Sequence, residues 1–204
     1  PGRVFVTGNT GIDALRFTVS DGYAHPLLEW AQGSRLVLLT SHRRENIGKP
    51  MHEMFAAVRV VVQSHPDVKV VYPVHPNPKV SQIAQSELDG VERIRLVEPL
   101  DVLDFHNLIN ASYLVLTDSG GIQEEAPALG KPVLVMRDCT ERPEGVEAGT
   151  LALVGTKSAG IEASFSKLLD DSTAYDRMAR ASNPYGDGFA SRRIVDVLGR
   201  KESW

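Results

Sequence analysis

Short apolar runs of Val, Ile and Leu recur along the chain at even spacing: Val4–Val6, Leu36–Leu39, Val68–Val74, Ile94–Val97, Tyr113–Leu116, Val133–Val135 and Leu151–Val154. Most are continuous rather than alternating, the pattern of strands covered on both faces of a parallel sheet. Between them the period changes. Met51, Met54, Phe55, Val58, Val61 and Val62 follow the three-to-four spacing that lays one apolar stripe along a helix. Leu100, Leu103, Leu108 and Ile109 mark a second helix, and Ile161, Phe165, Leu168 and Leu169 a third. This alternation predicts an α/β chain with a Rossmann-like, doubly wound parallel sheet. Two segments break the rhythm. Thr7–Thr10 reads as a hinge, and the turn formers Asn183-Pro184-Tyr185-Gly186-Asp187-Gly188 precede a final helix over about Ala190 to Leu198.

Composition narrows the class. A length of 204 residues is enough for one sizeable core. A net charge of -4, with Lys and Arg scattered, gives no basic field for nucleic acid, so none is expected as a partner. The lone cysteine, Cys139, excludes an intrachain disulfide framework and any Cys-cluster metal site, and fits a reducing compartment. No apolar run approaches the ~20 residues that span a bilayer, so no membrane partner is expected either. The start, Pro1-Gly2-Arg3-Val4-Phe5, carries neither a signal-peptide pattern nor an initiator Met, and reads as a piece of a longer chain.

The chemistry gathers just past the strands, where an open α/β sheet collects ligands. In Leu114-Val115-Leu116-Thr117-Asp118-Ser119-Gly120-Gly121-Ile122-Gln123-Glu124-Glu125 a buried strand stops at a small turn and a helix begins. The first amides of a helix lack intrahelical acceptors and carry partial positive charge. Glycines let a phosphate approach them, and Ser119 adds a hydroxyl. The competing reading is a plain capping turn with Asp118 or Ser119 as N-cap. Glu125, about one turn beyond Gly121, is placed to reach a ribose. After Leu36–Leu39 comes Thr40-Ser41-His42-Arg43-Arg44-Glu45-Asn46. Here His42 can act as an acid or donor to a leaving phosphate, and Arg43 or Arg44 can neutralise it; on the residues alone, a solvated polar loop capping the next helix is the favoured reading. His75, in Val74-His75-Pro76-Asn77-Pro78, reads first as a turn histidine. Met136-Arg137-Asp138-Cys139-Thr140-Glu141-Arg142-Pro143-Glu144 is a fourth polar strand-end segment. No Walker loop, zinc motif, hydrolase elbow or Gly-x-Gly-x-x-Gly turn occurs, so no cofactor and no metal are expected.

Together, His42-Arg43-Arg44-Glu45-Asn46, Tyr72-Pro73-Val74-His75-Pro76-Asn77-Pro78, Thr117 to Pro127, Thr140-Glu141-Arg142-Pro143-Glu144 and Asn183 to Gly188 resemble the non-hydrolysing UDP-N-acetylglucosamine 2-epimerases, in their C-terminal half. The resemblance covers almost the whole chain. It implies the C-terminal domain of a GT-B fold, with the N-terminal domain absent. Residues 1–10 would then be an interdomain hinge, 11–183 the UDP-binding domain, and 184–204 a linker with a crossover helix. Ile194, Val197 and Leu198 of that helix should be under-buried. The implied reaction is conversion of UDP-GlcNAc to UDP-ManNAc by anti elimination of UDP and re-addition, without a cofactor. Residue by residue, Ser119, Gly120 and Gly121 would hold the diphosphate with His42 and Arg142. His42 would also be catalytic, Glu125 would bind the ribose, and Phe105 would pack near the uracil, where a core aromatic is the rival reading. Arg44 and His75 match positions of an allosteric second UDP-GlcNAc. The base at C2 is expected from the missing domain, and this chain alone is expected to be inactive. A cytoplasmic enzyme of nucleotide-sugar metabolism, homodimeric at full length and serving cell-envelope polysaccharide, is the implied setting. Two alternatives stay open: a non-catalytic UDP-sugar-binding module, and the nucleotide domain of a GT-B glycosyltransferase.

Overall fold

Six of the apolar runs form one parallel sheet, and its topology decides where a ligand can sit. The computed structural model describes residues 4–199. In chain order the elements are α1 (Thr10–Thr18), α2 (Pro26–Ala31), β1 (Arg35–Thr40), a 3-10 turn (Arg44–Asn46) and α3 (Lys49–Ser64). Then follow β2 (Val68–Pro73), α4 (Pro78–Leu88), β3 (Ile94–Val97), α5 (Val102–Ala111), β4 (Leu114–Thr117) and α6 (Ile122–Ala128). The chain continues through β5 (Val133–Val135), α7 (Pro143–Ala148), β6 (Leu151–Leu153), α8 (Ser158–Asp170), α9 (Ser172–Ala179) and α10 (Ala190–Leu198).

The strand order is β3-β2-β1-β4-β5-β6, parallel throughout. From β1 the chain crosses toward β2, and from β4 it crosses the other way toward β5. The turns after β1 and β4 therefore diverge and leave a crevice between them, the topological switch point of a Rossmann-like sheet. Register aligns the two strand ends: Leu39 lies opposite Leu116 and Thr40 opposite Thr117. The two threonine hydroxyls meet at 2.7 Å.

The central strands β1, β4 and β5 feed both faces, which is why their sequences are apolar without alternation. Val37, Leu39, Val70, Tyr72, Leu114 and Leu116 pack under α3, α4 and α8, whose apolar stripes supply Phe55, Leu88 and Phe165. Leu36, Leu38, Val71, Val115, Val133 and Val135 pack under α2, α5 and α6. Helix starts are locally encoded. Asn9, His25, Asn77, Asp101 and Asp171 each accept a first-turn amide, and Pro26 and Pro78 open their helices where a missing N–H costs nothing.

Several expectations need correction. Val4–Val6 is not a strand: Val4 and Val6 are 80% and 97% exposed, beside α10 and away from the sheet. A three-residue run with no neighbouring strand has nothing to pair with. Thr10 is the first residue of α1, so the loop at this end stops at Asn9. Leu100 precedes α5, and Leu103 faces outward; that helix buries His106, Asn107, Leu108 and Ile109 instead. Helices α1, α2, α4, α7 and α9 had no apolar stripe assigned to them. In α10, Ile194 and Val197 are half-buried and Leu198 is exposed. Residues 1–3 and 200–204, the ends of the segments expected at 1–10 and 184–204, lie outside the described residues.

Candidate functional site

The crevice between β1 and β4 is organised by a buried carboxylate that ties the two strand-end turns together. Asp118 is fully buried and accepts from Ser41 Oγ at 3.0 Å, the His42 amide at 3.0 Å, the Arg43 amide at 3.0 Å and Asn46 Nδ2 at 3.0 Å. The Tyr72 hydroxyl fixes the same loop by donating to the Ser41 carbonyl at 2.6 Å. Asp118 thus neither caps α6 nor faces the turn that follows. This rules out the capping alternative for Asp118, and the reason is electrostatic: a buried carboxylate needs a shell of donors, and two consecutive amides of the neighbouring loop provide one. The N-cap of α6 is Gly121, which makes no side-chain cap bond.

Beyond Asp118 the backbone turns with its donors outward. Ser119 gives its amide to Thr117 Oγ1 at 2.9 Å, and its carbonyl accepts from Gln123 Nε2 at 3.0 Å. The amides of Gly120, Gly121, Ile122 and Gln123 find no acceptor among the described residues, nor does the Ser119 hydroxyl. Neither glycine has a positive φ; what each contributes is a missing side chain. A Cβ on Gly120 would stand 3.4 Å from Arg43 Nη2 and 3.6 Å from Arg142 Nη2. Two guanidinium groups therefore converge on a turn of unpaired amides, an arrangement that accepts a polyanion.

A cleft of about 200 Å³ opens beside this turn, lined by His42, Val74, His75, Leu100, Phe105 and Ile122 among others. The rings of His42 and His75 stack with centroids 5.3 Å apart. Phe105 is half-buried, so it both packs on the core and forms part of the cleft wall. Ile122 joins the cleft to the first turn of α6, placing an aromatic wall and an anion turn side by side. Arg44 is exposed on the 3-10 turn and makes no ion pair among the described residues. A larger groove, about 550 Å³, runs between α1, the end of α6 and residues 186–188, and contains none of the expected site residues.

Glu125 lies below the turn. A Cβ on Gly121 would be 3.8 Å from its Oε1, and one on Gly11 3.5 Å. Burial, and then the charge of Glu124, push its carboxyl above the usual carboxylate range. His106 Nε2 stands 3.8 Å from Glu125 Oε2, while its Nδ1 pairs with Thr18 Oγ1 at 2.7 Å. Burial holds this imidazole below its ordinary pKa. On the far rim, Arg137 grips Glu141 with bonds of 2.6 and 3.0 Å, which hold that carboxyl down at about 2.

Residues given no role by the sequence complete the frame. Gln123 donates to Ser119 O and accepts from Thr140 Oγ1 at 2.5 Å, joining the anion turn to the loop that bears Arg142. Tyr185 donates to the Arg142 carbonyl at 3.1 Å and accepts from the Gly145 amide at 2.8 Å. The partners across to Thr140, Arg142 and Gly145 are 17 to 43 residues away, so no local pattern marks them. Gly145 is the tightest point: a Cβ there would meet Leu151 Cδ1 at 2.5 Å and the Tyr185 hydroxyl at 2.6 Å. Gly145→Ala is therefore expected to destabilise the chain by about 1–3 kcal/mol, read as a lower midpoint in urea; an unchanged midpoint would show that this contact relaxes freely. Among the described residues no group of three or more His, Cys, Asp or Glu is placed to hold a metal, and no helix is long and apolar enough to cross a membrane.

Fold and site define a Rossmann-like domain with a turn of unpaired amides at its switch point, the build of a GT-B C-terminal domain. A glycosyl transferase group 1 C-terminal domain from Francisella tularensis shares that fold at 18% identity and TM-score 0.60, over 91% of this chain and 97% of that one. The particular family follows from closer likenesses. The family model described as UDP-N-acetylglucosamine 2-epimerase matches residues 1–199, and the chain belongs to that family. It is 58% identical to the UDP-N-acetylglucosamine 2-epimerase of Bacillus subtilis over 195 residues, covering 96% of this chain and 51% of the relative. The S. aureus MnaA-UDP co-structure superposes with TM-score 0.94 at 54% identity, covering 97% of this chain and 54% of that one. UDP-GlcNAc 2-epimerase from Neisseria meningitidis bound to UDP-GlcNAc gives TM-score 0.89 at 41% identity, covering 97% and 55%. The chain spans about half the length of the curated relatives it matches.

Proposed function

We propose that this chain is the UDP-binding part of a non-hydrolysing UDP-GlcNAc 2-epimerase, paired with a second Rossmann-like domain that faces the crevice. The observation that carries the reading is the convergence of Arg43 and Arg142 on the unpaired amides at Gly120, next to the cleft walled by Phe105. The diphosphate would lie on Ser119, Gly120 and Gly121 with Arg142 and His42, the uracil against Phe105, and the ribose hydroxyls on Glu125. Breaking the bond between C1 and the UDP oxygen places charge on the β-phosphate, and donors fixed there before the reaction stabilise it as it develops. His42, stacked on His75 and bonded through its backbone to Asp118, would be the donor to that leaving phosphate. The carboxylate that abstracts the C2 proton would come from the other domain. In this division 1–10 serves as hinge, 11–183 as the UDP-binding unit and 184–204 as linker and returning helix. Relatives solved with UDP and with UDP-GlcNAc support the ligand. We extend the reading to an activator site at Arg44 and His75, which the stacking on His42 would connect to the phosphate end. A homodimeric, cytoplasmic enzyme supplying cell-envelope polysaccharide is the setting that family membership favours.

Calorimetry of UDP binding across pH tests this. Glu125 accepts from both ribose hydroxyls most strongly when ionised, and its pKa lies above the ordinary 4.5. UDP affinity is therefore expected to fall, as pH drops, at values higher than an ordinary glutamate would give, and Glu125→Gln should flatten that limb. The sign separates this from acid unfolding. A raised carboxyl pKa means the folded state holds the proton more tightly, so this group's contribution to stability increases as pH falls through the same window. Absence of UDP binding, or a pH limb unchanged in Glu125→Gln, would refute the assignment. The chain alone should not interconvert UDP-GlcNAc and UDP-ManNAc; turnover by the pure chain would remove the need for a second domain.

A further inference from the structure

Glu124 takes no part in the contacts proposed for UDP, yet it is buried to 8% exposure and fully engaged. Its carboxylate accepts from Arg142 Nε and from Asn9 Nδ2, and its carbonyl accepts from Asn183 Nδ2 at 3.2 Å. Asn9 in turn caps α1 by accepting the Gly11 amide at 2.8 Å, and gives its own amide to the Tyr185 carbonyl at 2.9 Å. Tyr185 closes the circuit by donating to the Arg142 carbonyl at 3.1 Å. Arg142 is thus held twice: its side chain by Glu124 and its backbone by Tyr185. Both holders meet at Asn9.

The geometry of the grip matters more than its existence. Glu124 engages Arg142 through Nε, on the inner edge of the guanidinium. That leaves Nη2 directed at Gly120, 3.6 Å from where a Cβ would stand. An arginine gives up rotamer freedom when fixed. Fixing it before the ligand arrives removes that cost from binding. A free arginine on the loop after β5 would supply charge without aim.

We propose that Glu124 is a positioning residue for the diphosphate: with Asn9 sharing its carboxylate, it aims Arg142 at the turn Ser119-Gly120-Gly121. This rests on the UDP reading above. The test is calorimetry of the whole chain and its variants with two probes, UDP and uridine, because uridine carries the base and ribose but no phosphate. Glu124→Gln is expected to weaken UDP about tenfold and uridine less than about twofold. Arg142→Ala should weaken UDP further, and adding Glu124→Gln to it should change nothing more, since Glu124 then has no arginine to aim. Asn9→Ala, which leaves the Glu124 charge in place, should give a smaller loss of about threefold, again confined to UDP. Parallel losses of UDP and uridine would show a merely structural role and overturn the proposal. So would additive losses in the double variant, or unchanged UDP affinity in Glu124→Gln. A wild-type chain that takes up uridine but not UDP would overturn the diphosphate reading itself. A wild-type chain that binds UDP normally, with Glu124→Gln matching it, would overturn only the role of Glu124.

Discussion

Asp118→Ala is expected to lower the unfolding free energy by about 3–5 kcal/mol, the range for removing one member of a buried charged network. The loss follows from Ser41 Oγ and the amides of His42 and Arg43 left without an acceptor, and Asn46 Nδ2 left with only the Met136 carbonyl at 3.4 Å. Each has its acceptor in a fully buried carboxylate, and water cannot replace that acceptor without opening the strand ends. The substitution should also disturb the site. The loop it releases carries His42 and Arg43, so UDP binding should fall along with stability. Asp118→Asn keeps the volume but presents an amide donor to a shell of donors, and should land between wild type and Ala. Urea denaturation with both variants checks this; a loss below about 1 kcal/mol for Asp118→Ala would mean the loop holds its shape unaided.

Arg142→Ala is expected to reduce UDP affinity by roughly tenfold to a hundredfold, the range for losing charged hydrogen bonds to a phosphate. Its stability cost should be smaller, because the arginine is about a third exposed and its pairing with Glu124 is partly screened. Arg142→Lys discriminates between charge and shape. Lysine restores a point charge but lacks the fork that bonds Glu124 through Nε while Nη2 points at the turn. Partial rescue is therefore expected, with a steeper dependence on salt. Full rescue by lysine, in calorimetry at two ionic strengths, would show that only charge is needed there.

The sheet was readable because its physics is local. A strand covered on both faces must be apolar at every position, and Leu36–Leu39, Leu114–Leu116 and Val133–Val135 satisfy that within a few residues. Val4–Val6 satisfied the same rule without a partner, since composition says nothing about what lies alongside. The short helices were harder for the opposite reason. In α1 only Ile12, Asp13 and Leu15 are buried, too few to form a stripe, and Asp13 is buried because it bonds the Ala190 and Ser191 amides of α10. The turn at Ser119-Gly120-Gly121 was legible as a strand–Gly–Gly–helix junction. The direction of the Asp118 side chain was not, because its donors lie 72 to 77 residues earlier in the chain. Glu124 and Glu125 are adjacent and chemically identical in sequence. One turns toward Arg142 and Asn9, the other toward His106, and only the packing of α6 against α1 and α5 separates them.

The most direct test of UDP at the switch point is a backbone amide NMR titration of the chain with UDP. If the diphosphate lies on the turn after β4, the largest shifts fall on the amides of Gly120, Gly121, Ile122 and Gln123, which have no acceptor of their own, with ring-current changes around Phe105. If those four amides stay unmoved while shifts gather in the groove between α1 and residues 186–188, the site is elsewhere and the assignment of this turn to phosphate is wrong.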